Sequence, residues 1–222
     1  MVASAERKRL HTPVSERLPF LRDIWDMQIK ELMRHGFHDI LGMSKWEYTR
    51  TLPKMPRFYP GGMVEAFREQ PLFFPIIVDG RVPYRQKITL LNAQNDENYL
   101  GTVRDEEGAH LPELETYVLW VQDGILYLGL SADEARGQMK PNEGGLTVFK
   151  GIDMGLVSPY GRYHTVELIG SYVARESRLG IKSQVHPQMS PQGNIRNSLH
   201  RSRTRARNNG IATVWVEENK AA

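Results

Sequence analysis

Apolar residues recur at three- and four-residue steps through Leu18, Leu21, Trp25, Ile29, Leu32 and Met33, and Gly36 follows them. That spacing predicts an amphipathic helix with a glycine stop, packed by its stripe on the rest of the chain. Ser44-Lys-Trp-Glu47 carries the pattern in which a Ser and a Glu three residues apart satisfy each other's free backbone N–H groups. With Met43 placed to staple onto Tyr48, it predicts a second helix running to Leu52 before Pro53. A third, shorter helix is expected from Met63 to Glu69, between Pro60-Gly-Gly62 and Pro71. Strands are expected at Leu72 to Val78 and at Arg85 to Leu91, with polar loops at Asn92 to Asn98 and Arg104 to His110.

The strongest hydrophobic run is Thr116 to Leu130, where β-branched, aliphatic and aromatic residues flank Asp123-Gly124. Asp-Gly tolerates the positive φ values of a two-residue turn, so a hairpin is predicted, with Tyr117, Leu119, Val121, Leu126, Leu128 and Leu130 on one covered face. Ser131-Ala-Asp-Glu134 repeats the reciprocal capping pattern and starts a helix from Ala132 to about Met139. Thr147 can cap another helix reaching Val157, and further strands are expected at Tyr163 to Val173 and Ile211 to Glu217. Helices first and mostly antiparallel strands later make this an α+β chain. Its expected divisions are a mobile arm over 1–13, a helical part over 14–70, an α+β core over 71–173, and a basic segment over 174–222 that ends in a strand.

With 222 residues and 40% hydrophobic content, the chain can bury a substantial core. No apolar run approaches the length of a membrane span, and the charged N-terminal stretch lacks a secretory apolar region, so no membrane partner is expected. Cys is absent, which excludes disulfides and thiolate metal sites and suits a reducing, cytoplasmic setting. The net charge of +3 is too small to imply a partner by itself.

The distribution of charge changes that picture. Between Arg175 and Gly210 eight Arg and Lys residues stand against one acid, Glu176, so this segment is more basic than the whole chain. Arg201, Arg203, Arg205 and Arg207 alternate within it, and in an extended backbone they share one side, a spacing that could track the phosphates of RNA, DNA or another polyanion. The bland reading is a solvated or acid-paired surface, and with few aromatics in the run base stacking finds little support there. A second candidate is Gly144, Gly145, Thr147 and Lys150: two glycines before a capped helix can offer N–H groups to a phosphate, although an ordinary capped loop accounts for the same residues. His35 and His38 straddle a helix end without a third ligand and read as surface residues, so no metal and no cofactor are implied. His164 and Glu167 fall on opposite sides of a predicted strand, and Gly170-Ser171 lacks the setting of a nucleophile elbow, so no catalytic residues are assigned.

Three segments together resemble a family of uncharacterised bacterial proteins with a domain of unknown function. Residues Met27 to Ser44 resemble that family's opening helix, followed by a glycine, an aromatic and a Leu-Gly-Met/Leu-Ser step. Gly145-Leu-Thr-Val-Phe-Lys-Gly-Ile152 is similar to its Leu-Thr-x-x-Glu-Gly-Ile/Leu segment, and Leu168-Ile-Gly-Ser171 to a Leu-x-Gly-Ser element after it. The resemblance spans about residues 22–171 and implies an order of elements without an activity. Lys150 stands where the family carries a carboxylate, and the chain beyond Val173 departs from the family's C-terminal end. The expected function is therefore an intracellular, non-enzymatic binding or assembly protein, with a small enzyme or sensor for a phosphorylated ligand at Gly144 to Lys150 as the alternative.

Overall fold

The computed structural model describes residues 14–57, 59–60, 62–63, 73–91, 104–105, 114–158, 165–176, 182–190, 195–197 and 209–215. The helices are α1 Val14–Arg34, α2 Phe37–Ile40, α3 Lys45–Thr51, α4 Tyr84–Leu90, α5 Ala132–Gln138 and α6 Val148–Val157. The strands of the first half are β1 Phe74–Asp79, β2 Arg104–Asp105, β3 Thr116–Gln122 and β4 Glu143–Gly145. Those of the second are β5 Thr165–Glu167, β6 Ser171–Glu176, β7 Lys182–Val185, β8 Pro187–Met189, β9 Ile195–Asn197, β10 Asn209–Ile211 and β11 Thr213–Trp215. Helices followed by mainly antiparallel sheets give the α+β fold that the order of patterns predicts.

Local start signals are reproduced closely. At α3 the Ser44 N–H donates to Glu47 Oε2 at 2.8 Å while the Glu47 N–H donates to Ser44 Oγ at 3.2 Å. The same reciprocal pair, Ser131 with Glu134, opens α5, and Thr147 Oγ1 accepts from the Lys150 N–H at the start of α6.

Two expected strands have other fates. After β3 the chain does not return as a hairpin: Gly124 takes φ 100° and a 3-10 turn follows at Ile125–Tyr127. Both sides of β3 are already paired, with β1 through Phe74↔Val121 to Asp79↔Thr116 and with β11 through Thr213↔Gln122 to Trp215↔Trp120. Gly124 is held so close to the backbone of Gly210 that an added Cβ would lie 2.7 Å from the Gly210 carbonyl carbon. Leu119 and Val121 are buried as expected, whereas Leu126 and Leu128 are exposed, Leu128 at 47%. The stretch Arg85 to Leu91 is helix, because Pro83 sits at its N-cap and Tyr84, Ile88 and Leu91 fall at the four- and three-residue steps that pack on the core. The expected strand Tyr163 to Val173 is split into β5 and β6 by a turn at Leu168–Gly170, and the strand expected from Ile211 begins earlier, at Asn209. The arm over 1–13, most of the expected Met63 to Glu69 helix and the Arg201 to Arg207 run lie outside the described residues.

One four-stranded sheet has the order β1-β3-β11-β4, and a second has β10-β5-β8-β9 with β10 parallel to β5. A third is formed by β2, β6 and β7. Ala212 joins the first two, since its N–H donates to the Glu167 carbonyl and its own carbonyl accepts from the Leu146 N–H. Buried along its length except at the half-buried Phe149, α6 packs on β1 and against Leu168 and Met189.

At the outer edge of β1 the open backbone positions meet α1. Gln28, fully buried, donates through Nε2 to the Pro75 carbonyl at 2.7 Å and accepts the Ile77 N–H on Oε1 at 2.8 Å. The side-chain amide thus stands where the next strand's peptide group would be, and Pro75 has no N–H to leave unmatched.

Two stability comparisons follow. Gln28→Leu strands a buried N–H and a buried carbonyl, so chemical denaturation should show a loss of about 2–5 kcal/mol, and a neutral substitution would mean that the edge is satisfied otherwise. Leu119→Ala should cost about 2–5 kcal/mol, with Leu128→Ala costing well under half as much because its side chain is half in water. Equal losses at the two positions would sink the exposed-turn arrangement.

Candidate functional site

Among the described residues, a group of ionisable side chains gathers where β1 ends beside α4 and α6. Asp79 closes a strand of otherwise apolar residues, Phe74-Pro-Ile-Ile-Val78, and Arg81 two residues on turns back to it. Arg81 donates from Nε to Oδ1 at 2.9 Å and from Nη2 to Oδ2 at 2.8 Å, its own backbone N–H reaches Oδ1 at 3.1 Å, and the Tyr48 hydroxyl donates to Oδ2 at 3.0 Å. Four donors occupy this carboxylate. Burial, then the negative charge of Asp79, pushes the Tyr48 hydroxyl far above its ordinary range, so it stays a donor.

Asp153 is the one acid in the apolar helix α6, and Lys87 is brought to it by α4. Lys87 Nζ donates to Asp153 Oδ1 at 2.6 Å, the Tyr84 hydroxyl donates to Oδ2 at 3.1 Å, and Nζ lies 4.5 Å from the centre of the Tyr84 ring. Lys87 is fully buried and Asp153 nearly so. Removal from water is the largest influence on Asp153 and raises its carboxyl above the usual range, with the Asp79 charge adding to it and Lys87 and Tyr84 opposing. Desolvation also raises Tyr117. Asp79 with Arg81 and Asp153 with Lys87 therefore form two neighbouring ion pairs whose charges cancel locally.

Two further buried carboxylates are held by neutral donors. Glu143 accepts from the Tyr127 hydroxyl at 2.6 Å, the Thr213 hydroxyl at 2.5 Å and the Lys140 N–H at 3.2 Å. Glu167 Oε1 accepts from Gln188 Nε2 at 3.0 Å and Asn209 Nδ2 at 3.1 Å. Each joins elements distant in sequence. Among the described residues, no group of three or more His, Asp or Glu is arranged to hold a metal ion.

Gly144 and Gly145, expected in a loop, are strand residues of β4 paired with Val214 and Thr213. A Cβ on Gly145 would lie 2.6 Å from the Gly170 backbone nitrogen, so these glycines let two backbones touch. Thr147 caps the helix, the Val148 N–H donates to Ser171 Oγ at 2.8 Å, and Lys150 is buried in the first turn. The segments Gly145 to Ile152 and Leu168 to Ser171 are thus one joint, in which Gly151 also packs on Leu168. His35 and His38 are largely buried, correcting their surface reading, and they converge on no shared site: His38 faces Tyr48, with ring centres 6.5 Å apart, while His35 lies 3.8 Å from Glu31. Arg201, Arg203, Arg205 and Arg207 lie outside the described residues, as does His164.

Lys87 and Asp153 escaped the sequence reading although both leave signals. An isolated acid within an apolar helix, and a lysine on the same face as Tyr84 and Leu91, are placed where a charge needs a partner. No family model, no curated protein and no solved structure matches the chain.

A buried pair loses most when one member is removed. Lys87→Met should destabilise the protein by about 3–5 kcal/mol in urea unfolding, and adding Asp153→Leu should recover most of that loss. Simple additivity of the two substitutions would show that the pair is not coupled.

Proposed function

We propose that this chain is an intracellular binding or assembly protein that engages nucleic acid through its basic segment. The carrying observation is the partition of charge: eight cations against one acid between Arg175 and Gly210 in a chain whose net charge is +3. β9 and β10, the two outer strands of one sheet, flank residues 198–208 in the chain, which hold Arg201, Arg203, Arg205 and Arg207.

The buried carboxylates also favour binding over catalysis. Asp79, Asp153, Glu143 and Glu167 each hold donors supplied by the protein itself, which suits a framework role. No helix among the described residues is long and apolar enough to cross a membrane.

Binding of an RNA or DNA oligonucleotide through the four arginines should weaken with salt at a slope of log K against log salt of roughly −3 to −4. Changing all four to Gln should flatten that slope and weaken every sequence about equally, because phosphate contacts carry no sequence information. Wild-type protein that retains no nucleic acid at about 50 mM salt, where nonspecific attraction is strong, would rule the reading out.

A further inference from the structure

Of the four tryptophans, Trp25, Trp120 and Trp215 are buried, and Trp46 is 67% exposed. It lies on α3, whose opposite side is anchored: Tyr48 is fully buried with its hydroxyl on Asp79, and the Thr51 carbonyl accepts from Thr116 Oγ1 at 3.1 Å. Trp46 and Arg50 are four residues apart and therefore share the outward side, with the Arg50 guanidinium 4.5 Å from the centre of the Trp46 ring. Glu47, which lies between them in sequence, accepts the Ser44 N–H in the capping pair. From Met43 to Arg57, Lys45, Arg50, Lys54 and Arg57 are exposed cations and Glu47 is the one acid, so this segment carries a local excess of positive charge.

We infer that Trp46 and Arg50 form a stacking platform for a base of single-stranded nucleic acid, with Lys45, Lys54 and Arg57 taking the adjoining phosphates. The inference rests on the nucleic-acid reading above and adds the form of the ligand and an independent point of contact. The chemistry favours this occupant in three ways. A flat ring with a cation over it accepts the face of a base without reading its edges, the surrounding charge complements a phosphate backbone, and stacking needs an unpaired strand. A double helix keeps its base faces covered, so it should use the charges and not the ring.

The test uses the full chain, a labelled oligo(dT) and an oligo(U) of equal length, a duplex control and inorganic polyphosphate, at about 50 mM salt. Because the other tryptophans are buried, the emission component open to acrylamide reports Trp46. Single strands should quench that component and shield it from acrylamide, while duplex and polyphosphate should not. Trp46→Ala should weaken single-strand binding at least about fivefold, with Trp46→Phe retaining most of it. An unchanged melting temperature shows that each variant is folded.

Single-strand binding with unchanged Trp46 emission, and with Trp46→Ala at wild-type affinity, overturns this platform and leaves the arginine run standing. Equal quenching by polyphosphate also overturns it, since the surface would then respond to charge alone. Quenching that persists after Arg201, Arg203, Arg205 and Arg207 are changed to Gln supports the platform, and if affinity is also unchanged it counts against the run. No binding of any nucleic acid by the wild type removes both.

Discussion

The architecture depends on one continuous piece of chain, residues 209–215, that serves two sheets in succession. As β10 it pairs with β5, and as β11 it fills the interior place between β3 and β4. At the corner the Ala212 N–H reaches Glu167, its carbonyl takes the Leu146 N–H, and the Gly170 N–H reaches Leu146. These three hydrogen bonds each tie backbone groups of separate elements, as the burial of polar backbone at a crossing demands. Backbones approach so closely there that a Cβ would clash, which is why Gly124 meets Gly210 and Gly145 meets Gly170.

Side-chain polar groups complete the same joint. Thr213 on β11 and Tyr127 after β3 converge on Glu143 of β4, and Asn209 on β10 and Gln188 on β8 converge on Glu167 of β5. The two carboxylates thus fix the register of short strands, three residues each, that have little ladder of their own. Fully satisfied buried networks specify one arrangement because any slip leaves a desolvated group unpaired. Lys87 with Asp153 plays the corresponding part between α4 and α6, at the expense of desolvating both charges.

What was legible in the sequence was local. Ser44 with Glu47, Ser131 with Glu134, Thr147 and the stripe of α1 depend on neighbours within a turn or two, and the structure has those elements where their residues indicate. The hairpin at Asp123-Gly124 failed because the turn chemistry was right but the partners of β3 come from far away, residues 74–79 and 213–215. Arg85 to Leu91 is expected as a strand, yet Pro83 at the N-cap and the packing of Tyr84 on Phe149, with ring centres 4.5 Å apart, decide for a helix. Of the candidate sites, the glycines before α6 were visible as glycines, while the contact that requires them, Gly145 on Gly170, joins residues 25 positions apart in the chain. Trp46 was visible only as part of a capping sequence, since exposure is a property of the folded surface.

The order of synthesis gives the central strand a kinetic meaning. Since β11 lies inside its sheet and follows all the other described strands, the sheet cannot close until residue 215 has left the ribosome. At typical elongation rates of about 5–20 residues per second, β1 and β3 wait several seconds for it. Through that interval β3 is a half-paired apolar strand exposed to other nascent chains, a hazard of late long-range pairing. Gln28 precedes β1 in the chain and can seal its outer edge from the start, so during synthesis the unguarded side of the growing sheet is the one that β11 later fills.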